Sequence, residues 1–158
     1  MWSSRRAVSD IGEASHDGSR SGGCLCGAVR YEVAGEPEAS SICHCVSCRK
    51  SAGAQSVAWV VFSYEGFRIV SGEPAAFRSS ENVSRTFCVE CGTTLTYQHD
   101  EDPDAIDITA ASLDLPDEFP PTRHVWLEDK LAWDTVDDGL QRFERGSSEG
   151  ESSEGASS

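Results

Sequence analysis

Lysine is almost missing from this chain: Lys50 and Lys130 are the only two in 158 residues. Acidic residues number 27 against 13 basic ones, a formal net charge of −14. Such a surface repels phosphate backbones, which excludes the nucleic-acid-binding classes. Long hydrophobic runs are missing too. No stretch approaches the roughly 18 apolar residues of a membrane span, so no membrane partner is expected. Arg5-Arg6 is followed by Ala7-Val8-Ser9-Asp10-Ile11-Gly12-Glu13, which lacks the apolar segment of an export signal. Cytoplasmic residence with reduced thiols is therefore the expectation. The acidic balance also suits a salt-rich, halophilic cytoplasm, where self-repulsion is screened.

Helical periodicity is the third thing in short supply. Alternating and β-branched runs take its place at 28–33, 56–62, 67–70, 75–78, 84–87, 93–98 and 105–110, and these predict strands. Turn signals such as Gly35-Glu36-Pro37, Ser71-Gly72-Glu73-Pro74 and Asp102-Pro103-Asp104 separate them. Single helical turns are expected at 47–52 and 127–130. The reading is a mainly β domain with short antiparallel sheets.

Hydrophobic content is only 38 %, and the two ends explain part of that. Residues 1–21 and 146–158 are largely Ser, Gly and charged residues. Neither end can bury enough apolar surface to offset its ordering entropy, so both are expected to be disordered polar tails. The folded domain is then 22–145.

What is abundant is cysteine, seven residues in three tight clusters: Cys24-Leu25-Cys26, Cys43-His44-Cys45-Val46-Ser47-Cys48 and Cys88-Val89-Glu90-Cys91. The odd count and the missing secretory signal argue against a disulfide framework. A thioredoxin-like redox role needs an α/β context that the strand pattern does not supply. Thiolate clusters of this kind select zinc.

Cys24, Cys26, Cys88 and Cys91 suffice for one closed structural zinc site, stapling the first strand to a later one. Glycines directly after Cys26 and Cys91 permit the tight turns such a site needs. Cys43, Cys45 and Cys48 supply three ligands for a second zinc. Either a histidine (His44, His99 or His124) closes that site, or its fourth position is left for water or substrate. In an extended Cys-x-Cys the middle side chain points away from its neighbours, which makes His44 a poor ligand. Arg49 and Lys50, directly after Cys48, add positive charge that favours an anionic ligand. His124, Trp126 and Trp133 read as packing residues at the rim. Asp107, Asp114 and Asp117 read as turn and surface carboxylates rather than acid–base groups.

Taken together, Gly22-Gly23-Cys24-Leu25-Cys26-Gly27, Cys43-His44-Cys45-Val46-Ser47-Cys48-Arg49-Lys50 and Phe87-Cys88-Val89-Glu90-Cys91-Gly92-Thr93 resemble the glutathione-dependent formaldehyde-activating enzyme family, which includes centromere protein V. Further matches are Ser71-Gly72-Glu73-Pro74, Ala111-Ser112-Leu113-Asp114, His124-Val125-Trp126 and Trp133. The resemblance implies a β-tent fold with two zinc ions. It implies a structural site of Cys24, Cys26, Cys88 and Cys91, and a catalytic site of Cys43, Cys45 and Cys48. The activity it implies is carbon–sulfur bond formation (lyase or synthase type) between a small-molecule thiol and an aldehyde, glutathione and formaldehyde giving S-hydroxymethylglutathione. Two other functions fit the same residues, a non-catalytic zinc-stabilised binding module and a thiol redox or metal sensor.

Overall fold

Period-two alternation becomes strands almost everywhere it occurs. The computed structural model describes residues 18–146; the expected tails otherwise lie outside the described residues. Eleven strands and one α-helix are present among them. β1 (Arg20–Gly23), β2 (Arg30–Val33) and β3 (Ala39–Cys43) lead into α1 (Val46–Ala52). β4 (Val57–Ser63), β5 (Phe67–Ser71), β6 (Ala75–Ser80), β7 (Val83–Phe87), β8 (Thr94–His99) and β9 (Ala105–Thr109) follow, and β10 (Arg123–Val125) and β11 (Gln141–Arg142) are the last strands among the described residues. The expected helical turn near residue 127 is a 3-10 turn, Leu127–Asp129. β1 opens at Arg20, two residues ahead of the expected domain start.

These strands form two sheets, a small one ordered β1-β2-β5 and a large one ordered β11-β10-β3-β4-β9-β8-β7-β6. Pairing is antiparallel throughout except around β10, which lies parallel to both β3 and β11. The mainly β expectation therefore holds, with that one mixed edge.

The main core fills the space between the sheets. Tyr31 and Val33 of β2 meet Val60 and Phe62 of β4, Leu95 of β8 and Ile106 and Ile108 of β9. Each such large apolar side chain contributes about 1.5–3 kcal/mol on burial. The Tyr31 hydroxyl would be costly to bury alone, and it pairs with Ser112 Oγ at 2.7 Å. A second, smaller cluster of Cys43, Cys48, Val57, Trp59 and Val125 lies on the large sheet. That second cluster positions the site.

Candidate metal centres

All seven cysteines are free thiols, and the fold sorts them as the spacing predicts. Cys24, Cys26, Cys88 and Cys91 bring four Sγ atoms within 4.8 Å of one another, as Cys43, Cys45 and Cys48 do with three. Tetrahedral zinc with Zn–S near 2.3 Å needs S···S edges of about 3.8 Å. Cys24 and Cys26 are 3.5 Å apart at sulfur, and Cys26 and Cys88 are 3.8 Å apart. These edges fit zinc and are far too long for a disulfide.

The four-thiol cluster is built from two matching turns. Gly27 and Gly92 both take positive φ, 77° and 75°, which a side-chain-bearing residue adopts only with strain. Their amides donate to Cys24 O at 3.0 Å and Cys88 O at 2.8 Å. The Val29 amide donates to Cys24 Sγ at 3.2 Å, a contact that favours thiolate.

Three thiols share the other cluster. Cys43 ends β3, Cys45 caps α1 with its sulfur accepting from the Cys48 amide at 3.3 Å, and Cys48 faces inward from α1. Hydrogen bonds from Cys43 and then Cys48 push Cys45 down to about 2. Hydrogen bonds with Cys45 and then Cys48, followed by burial, push Cys43 up. One thiolate thus forms easily and the next are resisted by like charge, so the donor set suits a divalent cation that would neutralise all three.

No imidazole or carboxylate joins these three sulfurs among the described residues. His44 turns away from both neighbouring cysteines, as extended geometry requires, and is 1 % exposed. Its Nε2 bonds His124 Nδ1 at 2.9 Å, and His124 Nε2 bonds the Asp138 carboxylate at 2.8 Å. His44 Nδ1 and Asp134 Oδ2 face each other at 3.4 Å, both buried. This network ties the cysteine loop to the C-terminal segment. His99 lies elsewhere, against the Glu101 amide.

A cavity of about 390 Å³ opens over the three thiols. Its floor is one face of the large sheet. Arg85, Tyr97 and Asp107 are direct cross-strand partners on β7, β8 and β9, and Trp59 continues the face on β4. Arg85 is the charged group that touches the cluster: Nη2 donates to Cys48 Sγ at 3.5 Å and Nε to Ser79 Oγ at 3.0 Å. Its guanidinium lies over Tyr97, 4.8 Å from the ring centroid, and 5.9 Å from Trp59. The side chain is 5 % exposed and its Nη1 has no partner.

The basic pair expected beside the thiols divides differently. Arg49 gives its donors to the carbonyls of His44 and Asp129, at 3.0 and 3.2 Å. Lys50 is exposed and lines a neighbouring cavity. Asp107 differs from its expected surface role: it is half-buried in the cavity wall, and burial first, then Asp102, pushes it up to about 7. Asp114 is structural, accepting from both Arg30 guanidinium nitrogens and from Ser21. Asp117 is exposed, as expected. Trp126, the one non-glycine residue with positive φ (60°) among the described residues, lines the thiol cavity, whereas Trp133 is 69 % exposed. Arg85 and Tyr97 were the residues missed. A charged residue in step with Val83 on an alternating strand was the available signal.

The fold and the clusters define a mainly β domain with two thiol centres of metal-site geometry, one of them beneath a cavity. The chain belongs to the glutathione-dependent formaldehyde-activating enzyme family, whose model matches residues 19–129. A Halomonas elongata protein provisionally named as such an enzyme is 32 % identical over 123 residues, covering 71 % of this chain and 77 % of that protein. The crystal structure of a Rhodobacter sphaeroides protein is similar, with a TM-score of 0.50 at 25 % identity. That match covers 59 % of this chain and 86 % of the other. No helix among the described residues is long and apolar enough to cross a membrane.

Proposed function

We propose that this chain is a zinc-dependent carbon–sulfur bond-forming enzyme that joins a low-molecular-weight thiol to formaldehyde. Cys24, Cys26, Cys88 and Cys91 hold a structural zinc, and Cys43, Cys45 and Cys48 hold a second, catalytic one. The observation that carries this reading is the contrast between the two clusters. Four thiols complete one donor set outside the thiol cavity, where Cys91 alone reaches a separate cavity of about 360 Å³, while three stand beneath the thiol cavity with no further protein donor among the described residues.

Zinc, when bound, would supply the Lewis acidity that keeps an incoming thiol deprotonated near neutral pH. The thiol loses its proton and its sulfur attacks the carbonyl carbon. As the C–S bond forms, the C=O π pair moves to oxygen, which takes up a proton. No oxidant or reductant is consumed. Arg85 holds positive charge beside Cys48 and so offsets the accumulated negative charge of the thiolates. Trp59, Tyr97 and Trp126 give the cavity apolar walls that limit water.

Family membership supports glutathione as the thiol. Domain 22–145 is the working unit, and free thiols are consistent with a reducing, cytoplasmic compartment. The test is a spectroscopic titration of cobalt-substituted protein with glutathione, with and without formaldehyde. The ligand-field bands of one cobalt should shift on thiol addition, and S-hydroxymethyl product should form faster than in buffer. Unchanged bands and an uncatalysed rate would leave a binding module instead.

A further inference from the structure

A second cavity, of about 450 Å³, adjoins the thiol cavity and shares Ser47, Ser79 and Arg85 with it. Its composition runs against the rest of the chain. Acidic residues outnumber basic ones two to one overall, yet Lys50 and Arg85 line this cavity and no carboxylate does. The thiol cavity, by contrast, includes Asp107 and Asp129. Lys50 makes no ion pair among the described residues, although carboxylates are abundant. Arg85 is 95 % buried with Nη1 unpartnered. Phe87 and the 60 % exposed Phe77 add apolar wall. An unpaired ammonium, backed by a guanidinium with one nitrogen still free, over apolar and hydroxyl surface forms a receptor for an organic anion.

We propose that this second cavity is an anion subsite in which Lys50, with Arg85 behind it, binds the carboxylate arm of the thiol whose sulfur enters the three-cysteine cavity. The inference rests on the proposed function for what occupies the neighbouring cavity. Arg85 stands in the wall between the two, with one guanidinium nitrogen committed to Cys48 and another free. A thiol lacking an anionic arm fills one cavity; an acidic, peptide-sized thiol spans both.

The experiment uses S-methylglutathione, whose blocked sulfur cannot react, on the full zinc-loaded chain by calorimetric titration. Binding should weaken on the order of tenfold in Lys50→Glu, since charge reversal at contact distance exceeds 1.4 kcal/mol in a partly shielded site. Lys50→Arg should bind as the natural chain does. The diethyl ester of S-methylglutathione, with both carboxylates neutralised, should lose the same factor against the natural chain. Equal affinity of the natural chain and Lys50→Glu for the acid overturns the subsite, as does no binding at all. Because the probe carries no thiol, either result stands whether or not formaldehyde is turned over. A chain that binds the probe through Lys50 but fails the cobalt titration would retain the subsite and lose the enzyme.

Discussion

Asp107 shows what a single residue's surroundings change. It sits in an Ala105–Thr109 strand with apolar neighbours at alternate positions, and its sequence context reads as a turn-bordering surface carboxylate. Only the register reveals that Tyr97 and Val61 flank it on the adjacent strands. Arg85 lies one strand further along the same row. Burial raises its folded value to about 7 against an ordinary 3.8, with Asp102 adding and Arg85 opposing. In the unfolded chain Asp107 ionises near pH 4, and in the folded chain near pH 7. Between those values the native state binds the extra proton, so the group's contribution to stability falls as pH rises. Asp107→Asn should therefore gain melting temperature over the natural chain as pH goes from 5 to 8, at saturating zinc. A difference that is flat across that range would contradict the assignment. At Arg85 the useful comparison is charge against shape. Arg85→Gln should weaken zinc retention by the three-thiol cluster, measured by chelator competition, while Arg85→Lys restores part of it. Equal retention by all three proteins would remove the charge-balancing role.

At the scale of elements, the strands that alternate strongly were legible and those whose pairing comes from elsewhere were not. β8 and β9 carry apolar residues at period two, β4 is an almost continuous apolar run, and all three fall within a residue of where the sequence places them. β1 has no such pattern: its Arg-Ser-Gly-Gly run pairs with β2, and a Cβ on Gly22 would stand 2.2 Å from the Tyr31 hydroxyl. β3 is mostly Ala and Ser and is held between β10 and β4; β10 has three residues and is held between β3 and β11. That parallel contact sets Val125 beside Cys43 and lets His124 reach His44. No local signal encodes it. The cysteine clusters were legible because ligand spacing is local even when the site is not. They predict different consequences for two similar substitutions. On the proposed assignment, Cys48→Ser removes a ligand from a loop and short helix that the sheet already supports. Zinc content should drop from two to one per chain with the far-ultraviolet spectrum retained. Cys88→Ser opens the proposed link between the β1–β2 turn and the β7–β8 turn. A structural zinc is worth on the order of 10 kcal/mol, comparable to a small domain's whole stability, so this variant should be largely unfolded at 25 °C. Equal melting temperatures for the two variants would sink the division into four and three.

For the whole molecule the decisive quantity is charge. The formal −14 sets two screened effects against each other. Surface ion pairs such as Arg20–Glu36, at 3.8 Å, and Arg78–Asp100, at 2.7 Å, hold parts of the surface together. Exposed pairs of this kind contribute about 0–1 kcal/mol each, and salt weakens them. Against them stands the mutual repulsion of the excess carboxylates, which the folded state concentrates and the unfolded state dilutes. Raising ionic strength from 0.1 to 1 M shortens the screening length from about 10 Å to about 3 Å. That range covers the separations of neighbouring surface carboxylates, whereas an ion pair at contact retains part of its attraction. Relief of repulsion should win. The melting temperature of the zinc-loaded chain should rise by several degrees between 0.1 and 1 M KCl, since 1 kcal/mol corresponds to roughly 2–8 °C for domains of this order. Chloride is the salt to use, because sulfate would strengthen apolar burial in any protein. A melting temperature that is flat or falling over that range would mean the acidic surface is ordinary, and with it the reading of a chain suited to a salt-rich cytoplasm would fall.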